Sequence, residues 1–339
     1  MYQGFYGLTD HPFRLTPDPA YICLTAQHQE ALSGLLYSIR TRLGLTVLIG
    51  EAGTGKTTLL RTLTDLVEGR NFVLARCNNP TLSREEFYDL LLAELGVECP
   101  SSLKSRQLRA LEEALIRFRD AGQSAILIVD EAQRLPLELL EEIRLLLNLE
   151  TPREKLLQII LAGQPEVGVI IGRPELRQLK QRVSAIFRLH PLNIEEVREY
   201  LQHRLSRAGL PDQKLFPEEL SGLIYEYTKG IPRLVNSLCD ASLQTGFALQ
   251  SKGITASIIA EAAGDLELAD PDDARAKEES FEWPPLVIPM PVVSPEVKSV
   301  QAHPQNGLDN GADIRIPMES YASRQRSLGF FGQLLDHWK

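Results

Sequence analysis

Five short apolar runs recur up to Leu189: Leu45–Gly50, Phe72–Cys77, Ala125–Asp130, Leu157–Gly163 and Ala185–Leu189. Each is too short for an ordinary helix and several are rich in β-branched residues, which predicts strands. Helical patterns lie between and before them. From Gln27 to Arg42 the apolar residues Ala31, Leu32, Leu35, Leu36 and Ile39 return at helical spacing. Strands alternating with helices predict an α/β fold, a parallel five-stranded sheet with helices on both faces. After Asn193 the strand pattern stops. Asn193–Ala208, Pro217–Lys229, Ile231–Gln250 and Thr255–Leu266 each read as a helix, which predicts a small all-helical unit.

These patterns divide the chain into an α/β domain over 1–192, a helical unit over 193–268, a linker or tail over 269–326 and a short C-terminal segment over 327–339. Residues 1–25 are rich in Pro, Gly and aromatics and read as an ordered, irregular lead-in to the first domain. The stretch after Asp270 passes from charged to Pro-rich to polar and turn-rich, the character of a disordered linker. In the last segment Leu328, Phe330, Phe331, Leu334, Leu335 and Trp338 fall on roughly one side of a helix. It is expected either to fray or to dock on a partner, on the chain's own body or on a membrane surface.

The composition is that of an ordinary globular protein, 43% hydrophobic and 24% charged over 339 residues. The net charge of -9 argues against a general affinity for nucleic acid, which needs clustered Lys and Arg. The cysteines Cys23, Cys77, Cys99 and Cys239 are widely spaced and form no C-x-x-C pair. A zinc site or disulfide framework is therefore not expected, and a reducing compartment is the default. The first residues lack a basic start followed by an apolar run, and no run of 18 apolar residues occurs. The expected location is the cytoplasm, with peripheral association at the inner membrane left open.

Chemistry concentrates first at Leu45–Leu59, LTVLIGEAGTGKTTL, which fits strand, then G-x-x-x-x-G-K-[ST], then helix. In such a loop Gly50, Glu51, Ala52, Gly53, Thr54 and Gly55 wrap an anion with backbone N–H groups, closely enough that side chains at the glycines would clash. Lys56 then sets a charge on the β/γ-phosphate oxygens, the Thr57 hydroxyl can ligate magnesium, and Thr58 reaches a phosphate nearer the ribose. The expected ligands are ATP and Mg2+.

The second concentration is AILIVDEAQ, Ala125–Gln133, where apolar residues end in Asp130 and Glu131. At the end of a buried parallel strand such carboxylates emerge where ligands bind in open α/β sheets. Asp130 would hold the metal, as a Walker B Asp does, and Glu131 would polarise the attacking water. Taken alone, the pair could also be a helix N-cap at a strand–helix junction.

With both motifs in place the sequence resembles an AAA+ ATPase, and more narrowly the general secretion pathway protein A (ExeA-like) group. The resemblance runs from about residue 1 to about 268. It is carried by FYGLTDHPFRLTPDPAYICLTAQHQEAL, the P-loop, DEAQ, AGQPE, QRV before a strand, and GIPR. It implies a helical lid over the nucleotide and three further roles. Gln164, after the fourth strand, takes the sensor 1 place and would orient water or touch the γ-phosphate, unless it is only a turn residue before Pro165. Arg182 takes the place of an arginine finger supplied to the neighbouring subunit. The alternative there is a solvated arginine like Arg173, Arg177 and Arg188. Arg233 takes the sensor 2 place, reaching from the lid to the γ-phosphate, or else is simply a first-turn residue after Pro232. The lead-in would help hold the adenine, with Tyr21 and His28 as candidates, although His28 is expected on a solvated polar face.

The resemblance implies a nucleotide-dependent homo-oligomer acting on a secretion or cell-envelope assembly. Secretion members of the group usually continue into a membrane span and a peptidoglycan-binding domain, for which the residues after 268 offer no matching stretch. Two other readings compete: a transposition-helper type of DNA-dependent ATPase, which shares the layout, and a slow nucleotide-gated scaffold.

Overall fold

The computed structural model describes residues 2–16, 18, 21–210 and 215–268. Its strands are β1 (Leu45–Gly50), β2 (Phe72–Cys77), β3 (Ser124–Val129), β4 (Leu157–Gly163) and β5 (Val183–Leu189). They form one sheet in the order β2-β3-β4-β1-β5, with every neighbouring pair parallel. β1 and β4 are buried along their whole length, which is why their sequences run apolar without alternation.

Three strand boundaries differ from expectation, the first being the start of β3 at Ser124, one residue early. β3 ends at Val129, because Asp130 already turns out of the sheet. β5 begins two residues early, at Val183, since Leu45 pairs with Val183 while Thr46 pairs with Ala185. Ser184 is the extra residue of that irregularity, and its hydroxyl donates to the Leu43 carbonyl at 2.6 Å. A bulge of this kind breaks the alternation by which a strand start is read.

The lead-in holds α1 (Tyr2–Tyr6), and α2 (Ala26–Arg40) precedes the sheet. Helix α3 (Lys56–Val67) follows β1, and α4 (Arg84–Glu94) and α5 (Lys104–Asp120) join β2 to β3. Helix α6 (Leu137–Leu146) joins β3 to β4, and α7 (Glu166–Ile171) and α8 (Arg177–Lys180) join β4 to β5. Side chains alternate across a strand. Leu45, Val47 and Ile49 thus enter the core cluster containing residues of α4, α5 and α6. Leu48, also fully buried, lies outside that cluster, and α2 and α3 lie against β1. Both faces are covered.

Ser83 and Glu86 close a capping box at the start of α4. Behind it the carboxylate of Glu142, only 3% exposed, ties three helices together. It accepts from the Tyr88 hydroxyl at 2.8 Å, pairs with Lys104 at 2.7 Å and with Arg84 at 2.9 Å.

The second unit is α9 (Ile194–Arg207), α10 (Leu220–Thr228), α11 (Pro232–Ala248) and α12 (Ala256–Asp265). Asn193 and Glu196 form the capping box that starts α9, and Thr255 caps α12. Helix α10 ends through Lys229 and Gly230, both at positive φ. The Gly230 carbonyl accepts from Leu192 N–H at 2.8 Å, and a Cβ on Gly230 would run into the Leu192 carbonyl. The turn before α11 is thereby fastened to the segment joining sheet and lid.

The lead-in packs differently from its expected place beside the α/β domain. Tyr2, Tyr6, Leu8, Phe13 and Tyr21 are buried in one cluster with residues of α9 to α12. Tyr2 donates to Asp240 at 2.5 Å, Thr9 N–H to the Ala208 carbonyl at 2.8 Å, and Arg204 to the Pro12 carbonyl at 3.0 Å. Its aromatics complete a helical unit too small to close its own core. The expected linker over 269–326 and the amphipathic segment over 327–339 lie outside the described residues.

Candidate nucleotide site

The P-loop joins β1 to α3 at the carboxyl edge of the sheet, and β1 lies between β4 and β5. Chain order reverses there, which opens the crevice where such sheets take ligands. Gly55 stands immediately before α3 at φ 100°, a conformation that only glycine adopts without strain. It aims the first turn of α3 at the loop's interior, where unpaired N–H groups favour an anion.

Lys56 is 5% exposed, and its ammonium donates to the Gly50 and Glu51 carbonyls at 2.7 and 2.8 Å. Burial lowers its pKa from the ordinary lysine value, and the carboxylates of Glu131 and Asp130 oppose that shift. Thr57 donates from its hydroxyl to Asp130 Oδ2 at 2.8 Å. Two hard oxygen groups from different elements thus meet at one point, the donor chemistry that suits magnesium. Asp130 is 8% exposed, and its Oδ1 accepts from Glu131 N–H at 2.9 Å.

Glu131 adopts φ 53° and ψ 37°, a left-handed conformation that costs a non-glycine residue on the order of 1 kcal/mol or more. The carboxylate accepts from Gln133 Nε2 at 2.6 Å, and Gln133 Oε1 accepts from Gln164 N–H at 3.0 Å. Gln164 follows β4 directly and reaches the acidic pair through Gln133. Sequence reasoning quoted Gln133 within DEAQ but assigned it no role.

A cavity of about 300 Å³ opens over the loop, within the range of small-ligand sites. Its walls come from the loop, Glu131, lead-in residues including Arg14, Tyr21 and Cys23, His28 of α2, and lid residues Tyr200, Arg204 and Arg233. Arg233 lies in the first turn of α11, where its N–H donates to the Gly53 carbonyl at 3.3 Å. Its side chain is exposed. The lid therefore rests on the P-loop itself.

His28 is the position where expectation fails. It is 6% exposed rather than solvated. Its Nε2 donates to the Thr54 carbonyl at 3.1 Å and its Nδ1 accepts from the Thr25 hydroxyl at 2.7 Å. A carbonyl can only accept, which fixes this tautomer. Burial holds the imidazole below the usual histidine range. The expectation of a solvated face overlooked that His28 stands three, four and seven residues before Ala31, Leu32 and Leu35, at the start of the buried stripe of α2.

Tyr21 is buried, donates to Asp10 at 3.0 Å and has its hydroxyl pKa pushed up to about 12, chiefly by burial. The Arg204 guanidinium lies over the Tyr21 and Tyr200 rings at 5.5 and 5.1 Å. Its Nε donates to the Tyr200 hydroxyl at 3.1 Å, and that hydroxyl donates to Asn236 Oδ1 at 3.0 Å. Arginine stays protonated, so this relay runs one way and leaves the Asn236 NH2 group for the cavity. Leu192, Tyr200, Arg204 and Asn236 were missed in the sequence, since their spacing is that of ordinary lid helices.

Arg182 stands apart. It precedes Val183, which pairs with the start of β1, whereas Gly50 pairs with Leu189. It thus lies at the far end of the sheet, roughly 20 Å from its own P-loop at ~3.3 Å per residue. It is absent from the cavity wall and is partly exposed.

A family model for the AAA domain matches residues 39–171. The sequence is 37% identical over 270 residues to general secretion pathway protein A of Aeromonas hydrophila, covering 79% of this chain and 48% of that protein. The chain thus spans about half the length of this curated relative. Among solved structures, the Aeropyrum pernix ORC2 protein with ADPNP and ADP superposes with a TM-score of 0.57 at 16% identity, over 75% of this chain and 71% of that one. Cdc6p from Pyrobaculum aerophilum gives 0.55 at 17% identity, over 78% and 70%. At these identities the likeness concerns the fold alone. Among the described residues no helix is long and apolar enough to cross a membrane. Residues 39–171 thus match an AAA domain within a P-loop fold, and over 270 residues the chain is similar in sequence to general secretion pathway protein A.

Proposed function

We propose that the chain binds Mg-ATP, hydrolyses it to ADP and phosphate, and uses the cycle to move a secretion or cell-envelope assembly from the cytoplasmic side. The observation that carries this reading is the meeting of Thr57 and Asp130 at 2.8 Å beside Lys56 and Glu131. Four groups from two motifs, 73 residues apart between Thr57 and Asp130, converge on one edge of the sheet.

Lys56 leaves the Gly50 and Glu51 carbonyls and takes up the β/γ-phosphate oxygens. Thr57 and Asp130 would hold a magnesium ion, which would supply charge neutralisation for the phosphates. Glu131 accepts a hydrogen bond from the attacking water and aligns it, the work that phosphoryl transfer chiefly demands. Gln164 lies beside that water. Arg233 approaches the γ-phosphate from the lid. Arg182, too far from its own loop, serves the site of a neighbouring copy, which makes the active form a homo-oligomer.

Lys56→Ala tests the core of the reading. Turnover of ATP by purified protein should fall at least about 100-fold, the scale of losing one principal charge contact in the transition state. Turnover and ATP binding equal to wild type would refute it.

A further inference from the structure

We propose that Gln133 is a positioning residue that fixes the carboxylate of Glu131 to the end of β4. The proposal rests on the ATPase reading above.

The direction of two hydrogen bonds fixes the orientation of the Gln133 carboxamide. Gln164 N–H is a backbone donor, so the Gln133 oxygen 3.0 Å away must be the acceptor. That settles which end of the carboxamide is which. The NH2 end then faces Glu131 and donates to Oε2 at 2.6 Å. One planar group thus joins the residue after β4 to the residue that follows the metal-holding Asp130.

The space around it is built for this group. A Cβ on Gly163 would lie 2.6 Å from Gln133 Oε1 and 3.2 Å from Gln133 N. Glycine at 163 therefore leaves room for the carboxamide to reach Gln164. Glu131 itself stands in a left-handed backbone conformation, which a free loop would relax and which its neighbours must hold. Gln133 lies in the short helical turn Ala132–Arg134 right after it, so the bridge closes over two residues with little slack.

The consequence concerns the two oxygens of Glu131. Oε2 is occupied by Gln133, which leaves Oε1 as the oxygen to serve the cavity that Glu131 lines. A carboxylate fixed at one oxygen presents the other in one orientation, and orientation within tenths of an ångström governs attack on a phosphoryl group. Because the fixing group also holds Gln164 N–H, Glu131 and the sensor position move as one piece. The Lys56 ammonium feels Glu131 together with Asp130, Glu166 and Glu51.

Three variants of the full chain separate the halves of the bridge. Gln133→Leu removes donor and acceptor, while Gln133→Glu keeps an acceptor for Gln164 N–H and loses the donor to Glu131. Steady-state ATPase kinetics are read together with the affinity for a non-hydrolysable ATP analogue. Both variants should lower kcat by about 10- to 100-fold, with analogue affinity and KM within about twofold of wild type. Gln133→Glu should regain kcat as pH falls, because the protonated carboxyl can donate to Glu131 again. Gln133→Leu should not. As a control on folding, Gln133→Asn, which shortens the side chain by one methylene, should melt like wild type and still lose turnover.

Amide hydrogen exchange at Gln164 in the nucleotide-free protein reads the bridge without any turnover. Exchange should quicken in Gln133→Leu and stay slow in Gln133→Glu. Unchanged kcat in Gln133→Leu, equal losses of kcat and analogue affinity, or unchanged exchange at Gln164 would each overturn the proposal. Wild-type protein without Lys56-dependent turnover would instead bring down the ATPase reading, and the proposed role with it, while leaving the exchange result to stand by itself.

Discussion

At His28 the chain buries an imidazole at the start of the apolar stripe of α2, where a solvated residue was expected. Its two nitrogens are spent on Thr25 and the Thr54 carbonyl, so it serves as a strut under the P-loop rather than as a base contact. Its pKa is lowered in the folded state by burial. The unfolded chain therefore binds a proton that the folded chain refuses, and stability is lost as pH falls below about 6.5. Thermal melts from pH 7.5 to 5 should show a steeper acid decline in wild type than in His28→Gln. His203, also lowered by burial, contributes to both proteins and cancels from the comparison. Parallel declines would show that His28 does not carry the effect. Glu131 and Gln133 make a related point. The motif AILIVDEAQ discloses two carboxylates at a strand end, but the left-handed turn and the bridge to Gln164 are properties of the folded corner.

Among the elements, the turn between α10 and α11 carries the most constraint per residue. Gly230 has φ 70° and no space for a side chain against the Leu192 carbonyl. Gly230→Ala should destabilise the protein by roughly 2–4 kcal/mol, combining a positive-φ penalty with a backbone clash. Urea unfolding followed by circular dichroism measures it, and a loss under about 0.5 kcal/mol would contradict the account. The Glu142 junction of α4, α5 and α6 invites a second test. Glu142→Leu leaves the Tyr88 hydroxyl and two half-exposed cations without their shared acceptor. A loss of about 2 kcal/mol is expected, below the usual figure for breaking a buried pair because Arg84 and Lys104 reach solvent. The same unfolding experiment reads it.

The strands and lid helices could be read from their periodicity almost to the residue, since β1 and β4 are apolar throughout and α9 announces itself with Asn193 and Glu196. What could not be read was long-range. Ser184 hides the start of β5 through a bulge, the lead-in attaches to the lid through Tyr2 and Asp240, and the cavity wall recruits Tyr200, Arg204 and Asn236 from helix faces that look ordinary. Local pattern specifies an element's type and its own buried stripe. It does not specify which neighbour covers a polar face.

For the whole molecule the open matter is cooperation between copies. Arg182 sits at the end of the sheet remote from its own loop, so its proposed contribution needs a second chain. Turnover per subunit should rise with protein concentration in wild type. It should stay low and flat in Arg182→Ala, with ATP affinity within about threefold. A concentration-independent rate in wild type would exclude a finger in trans and favour a slow nucleotide switch.

The lead-in is stitched to the helical unit at Tyr2 and Thr9, and α2, which follows it, is held to the phosphate loop through His28. Any swing of that unit would therefore pull on a tether whose other end is anchored at the loop. In the proposed cycle, release of spent nucleotide would then be a peeling process, coupled to the hold of the lead-in on the helical unit.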